Sequence, residues 1–213
     1  AAYYPIDKLR ITNDGLYDPN DRKIDVLYRQ TYPVEHLIHD HDPDTGINVG
    51  HLLLDHVVNR RIAMVNPPSA FLMQSKGVQV VIWVLHEDGK FFTEEEHEWI
   101  EKYMLPTYFE AEWFAGWPYV KKPCFGREGD TVEIFGADGS LIYADKQRSY
   151  TDSAPVYQDF VDTPRRKVMT SEGEKEVHLL TGCFLVSGEP SAIGVRAGNI
   201  ITDNASYYLP VGI

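Results

Sequence analysis

The stretch Tyr119-Val120-Lys121-Lys122-Pro123-Cys124-Phe125-Gly126-Arg127-Glu128-Gly129 gathers two lysines, an arginine and two glycines. Tyr, Val and Phe favour an extended backbone. Pro123 keeps Lys122 extended and ends regular pairing there. Gly126 and Gly129 let the chain bend closely around something, with Arg127 between them. A lysine supplies a point charge, glycines expose N–H donors, and arginine offers a planar fork. The combination suits a polyphosphate. A tight hairpin with solvated basic residues fits the same letters. No G-x-x-x-x-G-K-[ST] occurs, so the segment is not a Walker A loop.

Further candidates are scattered along the chain. Lys76 stands just before the apolar run Gly77–Leu85, where a cation at a helix start asks for a nearby anion. Arg196 closes the apolar run Ala192–Arg196 and could point into a cleft or pair with a surface carboxylate. Asp203-Asn204 is a carboxylate beside an amide, which could serve Mg²⁺ or simply make a turn. Gln158 lies on a strand-like segment where it could read an adenine edge or face solvent. His36, His39 and His41, with Asp40, Asp42 and Asp44, match no zinc spacing and read first as an exposed polar loop. Cys124 and Cys183 are too few for a disulfide scaffold. Cys124 reads as a small buried hydrophobe.

These side chains need a scaffold. The chain has 213 residues, 43% of them hydrophobic and 12% aromatic, enough for one large domain or two small ones. Its formal charge of −12 argues against a nucleic-acid binder and against docking on an anionic membrane. Any phosphate site must then be a local positive pocket, for which Lys121, Lys122 and Arg127 supply one cluster. No apolar run is long enough to span a bilayer, and no secretory signal pattern opens the chain. A cytoplasmic protein with reduced thiols is expected.

Asn13-Asp14-Gly15 and Tyr17–Asn20 signal turns after a short strand at Lys8–Thr12. Lys23–Arg29 reads as a strand and Pro33–His39 as a helical turn. Val49, Leu52, Leu53, His56 and Val57 recur at helical spacing, predicting a helix over Asn48–Asn59. Arg61–Val65 reads as a core strand, ended by Asn66-Pro67-Pro68. Helical segments are expected at Ser69–Gln74 and Gly77–Leu85. Thr93 with Glu96 is a capping box for a helix to about Met104. After Pro106 the pattern turns to β-runs. Hairpins are expected at Thr131–Phe135 with Leu141–Ala144, and at Lys175–Val186 with Ser191–Arg196. Strands are expected at Val156–Val161 and Ile200–Thr202. The fold class is α+β, helix-rich early and β-rich late.

Taken in order, Asp14–Asp18, Asn66–Lys76, Tyr119–Gly129, Val156–Gln158, Ile193–Arg196 and Ile201–Asn204 resemble the glutathionylspermidine synthase family, of ATP-grasp type. The resemblance covers most of the chain. It implies an ATP-dependent carboxylate–amine ligase using ATP and Mg²⁺, with a carboxylate substrate and a polyamine-like amine. It also implies a partial ATP-grasp-like domain over 1–213, with an ATP lid over 119–164 and a mixed or antiparallel C-terminal sheet. Lys76 and Lys122 match the family's phosphate lysines. Gly126, Arg127 and Gly129 match its mobile loop. Gln158 falls beside the adenine strand, and Arg196 matches an arginine that steadies the transferring phosphoryl group. The chain departs from the family in lacking the upstream Arg-x-Asp and Glu-x-Asn residues that hold Mg²⁺ and the acid substrate. The metal ligands are therefore unknown, and the chain is expected to be a fragment or a shortened relative. The alternative is a non-catalytic nucleotide-binding or interaction module.

Overall fold

The computed structural model describes residues 1–29 and 34–212. They divide into two compact units, Ala1–Gln74 and Ser75–Ile213. The fold is α+β, helices dominating the earlier half and antiparallel strands the later.

In the first unit Asn13-Asp14 turns β1 (Arg10–Thr12) into β2 (Gly15–Tyr17), with Thr12 opposite Gly15. β3 (Val26–Tyr28) is followed by α1 (Val34–Leu37) and α2 (Val49–Val58), and then β4 (Ala63–Val65) pairs parallel to β3. α2 starts where the Asn48 carboxamide accepts the His51 N–H at 2.7 Å, satisfying an otherwise orphaned donor. Its apolar face packs Leu53 into a core with Leu16, Leu37, Ile62 and Met64. His56, on the same helix, is fully buried. Its Nε2 lies 2.7 Å from the Thr12 carbonyl, and its Nδ1 lies 3.3 Å from the Arg61 guanidinium. Arginine can only donate, so Nδ1 accepts and Nε2 carries the proton. A 3₁₀ turn at Pro68–Ala70 leads into α3 (Phe71–Gln74).

The second unit opens with α4 (Gly77–Asp88) and α5 (Glu94–Tyr103). The capping box at Thr93 is present: its hydroxyl accepts the Glu96 N–H, and the Glu96 carboxylate accepts the Thr93 N–H at 2.8 Å. Next come β5 (Thr107–Tyr108), β6 (Tyr119–Pro123), β7 (Glu133–Phe135), β8 (Leu141–Ala144) and β9 (Pro155–Asp159), forming an antiparallel sheet in the order β5-β9-β6-β7-β8. β10 (Arg165–Thr170), β11 (Gly173–Val186), β12 (Glu189–Gly198) and β13 (Tyr207–Leu209) form a second antiparallel sheet in chain order.

Several expectations need correction. Of Arg61–Val65 only Ala63–Val65 is strand, and only Met64 is buried in it. Lys23–Arg29 shortens to β3, and Lys8 belongs to a 3₁₀ turn at Ile6–Lys8. Pro33 in the predicted turn lies outside the described residues. Ile200–Thr202 is not a strand. It is apolar because Ile201 plugs a core of Val132 and Ile134, a burial that needs no ladder. Arg196 does not end its strand but sits within β12, opposite Tyr208. The segments β5, β10 and β13 have no counterpart in the sequence reading: β5 is two residues long, and Arg165-Arg166-Lys167 masks the alternation of β10.

Candidate functional site

β6 and β9 are antiparallel, with Lys122 opposite Val156 and Val120 opposite Gln158. Side chains alternate between the faces of a strand, so Lys121 and Lys122 part company. Lys121 reaches Glu133 at 3.0 Å, a carboxylate that Arg148 also holds at 2.7 Å. This ion pairing to Glu133 removes Lys121 from the expected cationic cluster. Lys122 points the other way, and its ammonium donates to the Gln158 Oε1 at 2.5 Å. The second cation on this side is Lys76. It occupies the N-cap of α4, and its ammonium donates to the Gly126 carbonyl at 3.0 Å. Its backbone N–H donates to the Cys124 carbonyl at 2.9 Å, tying α4 to the strand end.

Neither ammonium has a carboxylate partner among the described residues. Burial pushes Lys122 down from 10.5 to about 8, and the charge of Lys76 adds to the shift. Burial also lowers Lys76; the Cys124 sulfur opposes this and the Arg127 guanidinium reinforces it. Two half-buried cations that repel each other, partnered only by neutral oxygens, form a site that an anion would stabilise.

The solvated-hairpin reading of Tyr119–Gly129 therefore fails. The connection from β6 to β7 is long, and Lys122 is half-buried beside Lys76. Gln158 is buried as well, with 8% exposure. Its Nε2 donates to the Gln79 Oε1 at 3.0 Å and to the Thr107 hydroxyl at 2.9 Å. Cys124 packs with Val80 and Val156, as a small buried hydrophobe should, and burial raises its thiol above the ordinary value.

The two glycines of the loop answer different demands. At Gly126 a Cβ would meet the Pro123 ring at 2.5 Å. Gly129 has φ +78°, and a Cβ there would meet Ile201 Cγ2 at 2.6 Å and the Thr202 carbonyl oxygen at 2.8 Å. The loop is thus seated against the 201–203 segment. Arg196 also holds that segment, its Nη2 donating to the Asp203 carbonyl at 2.9 Å. The Arg196 Nε is buried without a hydrogen-bond partner.

Lys76, Lys122, Gly126, Arg127 and Gln158 therefore come together directly, while Gly129 and Arg196 are linked to each other through Thr202-Asp203. Gln79 and Thr107 complete the arrangement and escape a reading by motif. The signal for Gln79 was its place in the first turn of a helix that begins at Lys76.

Asp203 uses its carboxylate on its own turn, accepting the Ala205 N–H at 2.9 Å. Among the described residues no three His, Cys, Asp or Glu side chains converge, and His36, His39 and His41 are exposed. No described helix is long and apolar enough to cross a membrane. Two open depressions, of about 570 Å³ beside α2 and about 310 Å³ between Phe114 and the Gly136–Gly139 turn, do not include the lysines.

Comparison with known proteins adds two findings. The family model described as "Glutathionylspermidine synthase preATP-grasp" matches residues 1–213. A Haemophilus influenzae protein named "Putative acid--amine ligase" is 23% identical over 202 residues, covering 91% of this chain and 43% of that protein. The chain thus spans less than half the length of this relative.

Proposed function

This chain belongs to the glutathionylspermidine synthase family, and on that premise we propose that it supplies the nucleotide-binding part of an ATP-dependent carboxylate–amine ligase. The observation that carries the reading is the pairing of Lys76 and Lys122. Both are half-buried, they repel each other, and neither is neutralised by the protein. Such an arrangement is stabilised by a bound anion, and the triphosphate of ATP meets both ammonium groups with charge-assisted hydrogen bonds.

In this reading a substrate carboxylate oxygen attacks the γ-phosphorus of ATP and ADP leaves. An amine then attacks the acyl carbon, inorganic phosphate departs with the electrons of the C–O bond, and the nitrogen gives up one proton to the departing phosphate or to solvent. Phosphoryl transfer needs positioning and positive charge rather than covalent chemistry from the protein. Lys76 and Lys122 orient the phosphates. Gly126, Arg127 and Gly129 form the loop that closes over them within the 119–164 lid. Arg196 steadies the charge that builds on the transferring group. No step is assigned to the metal. The substrates are an acid and a polyamine-like amine.

Calorimetric titration of this chain with a non-hydrolysable ATP analogue, with and without Mg²⁺, tests the reading. Saturable binding that Lys122→Ala abolishes supports it. Absence of binding in both conditions removes the nucleotide site from this chain.

A further inference from the structure

We infer that Gln79 is a positioning residue for Lys122, acting through the Gln158 carboxamide; the inference deepens the nucleotide-site reading and rests on it for its functional consequence.

The argument is one of hydrogen-bond capacity. Thr107 is fully buried, and its hydroxyl donates its single hydrogen to the Leu105 carbonyl at 2.8 Å. Toward Gln158 it can therefore only accept. The Gln158 atom 2.9 Å away must then be the amide nitrogen, which settles the orientation of that carboxamide. The second amide hydrogen goes to the Gln79 Oε1 at 3.0 Å. Both hydrogens are used, and Oε1 is left facing the Lys122 ammonium at 2.5 Å.

The reverse orientation would set an NH₂ against an ammonium, donor against donor. Thr107 forbids it, and Gln79 supplies the acceptor for the second amide hydrogen. Gln158 is thereby occupied: each polar atom of its side chain has a protein partner. Its role is to hold the lysine rather than to read an adenine edge.

Gln79 is the adjustable member of this chain of bonds. Thr107 is locked in β5, but Gln79 stands exposed on the first turn of α4, three residues from Lys76. One helix turn thus carries one phosphate lysine and the residue that fixes the other. Gln79 accepts from Gln158 and passes its constraint to Lys122 without touching it.

The test is a double-mutant cycle on the 213-residue chain, using Gln79→Leu, Gln158→Leu and the double variant. Gln79 is exposed, so Gln79→Leu keeps the fold. Two readouts are taken: affinity for a non-hydrolysable ATP analogue, and the pH profile of Lys122 modification by an amine-specific reagent, followed by mass spectrometry. Gln79→Leu is expected to weaken the analogue about fivefold, the value of one hydrogen bond, and to shift the modification profile. Both effects should vanish in the Gln158→Leu background. An equal loss in both backgrounds would overturn the inference, as would an unchanged modification profile in Gln79→Leu. If wild type binds no analogue, the nucleotide reading fails. The modification profile then still decides the inference, a shift with Gln79→Leu sustaining it and no shift ending it.

Discussion

The Lys122 ammonium and the Gln158 Oε1 face each other diagonally across the β6–β9 ladder, 2.5 Å apart, two register positions from direct opposition. Diagonal partners on one face of an antiparallel pair lie within reach of long side chains. The contact gives a half-buried cation a neutral partner, and so keeps its charge available for an anion.

That availability has a cost in stability. Lys122 titrates at about 8 in the folded chain against an ordinary 10.5, so its folded value is depressed. Below pH 8 the folded state carries a charge that burial and Lys76 disfavour. Between pH 8 and 10.5 the unfolded chain holds a proton that the folded chain has lost, so this group makes stability rise with pH. Lys122→Met should be more stable than wild type at pH 7 by about 1–2 kcal/mol, with the gap closing towards pH 10. Urea unfolding of both proteins at pH 7, 9 and 10 checks this. A gap that stays constant with pH contradicts it.

Gly129→Ala should destabilise the chain by about 2 kcal/mol or more, from a left-handed backbone and a clash with Ile201 and Thr202. Gly139 is a matched control: its φ is +76°, and a Cβ there meets nothing within 4 Å. Gly139→Ala should cost only about 1 kcal/mol, the backbone component alone. Equal losses by urea titration would show that the loop is not seated on the 201–203 segment.

Arg196→Ala is expected to leave ATP-analogue affinity within about threefold of wild type, since Arg196 is bound to the Asp203 carbonyl rather than to the lysine pair. In ligase turnover the same change should cost about a hundredfold or more if it removes charge stabilisation of the transferring phosphoryl group. Affinity by calorimetry and turnover by phosphate release separate the two roles. Unaltered turnover would leave Arg196 as an anchor of the 203 turn.

The first unit carries an acid-sensitive turn. Burial would raise the Asp18 carboxyl, but the backbone N–H groups of Arg22 and Asn20 and the Arg22 side chain bring it down to about 2, against 3.8 ordinarily. A depressed carboxyl stabilises the fold above pH 3.8, and that contribution fades as the pH falls towards 2. Wild type should therefore exceed Asp18→Asn in stability at pH 6, and the difference should shrink between pH 4 and pH 2. Chemical denaturation across that range reads it directly, and a difference that persists at pH 2 tells against the turn.

Much of this molecule was legible in its letters, because local physics writes local signals. Asn48 and the helical spacing behind it marked α2, and Thr93 with Glu96 marked α5, since a cap satisfies backbone donors within one turn. Asn13-Asp14-Gly15 marked a turn and Gly136–Gly139 a hairpin, since few residues tolerate such turns. The composition of Tyr119–Gly129 suggested a phosphate cradle, and the ordered motifs pointed to the family.

What the letters left open were matters of face and distance. Lys121 and Lys122 are equivalent as sequence; only the pleat and the Lys121↔Glu133 register divide a neutralised lysine from an unneutralised one. Ile200-Ile201-Thr202 reads as a strand because burial in a core and burial in a ladder select the same residues. Gln158 looked equally suited to solvent or to a base, and its burial against Thr107 and Gln79, fifty-one and seventy-nine residues away, could not be read from spacing. Hydrogen-bond partners so remote in the chain leave no periodicity behind them, so only the tertiary structure could bring the two lysines together and show that no described carboxylate neutralises them.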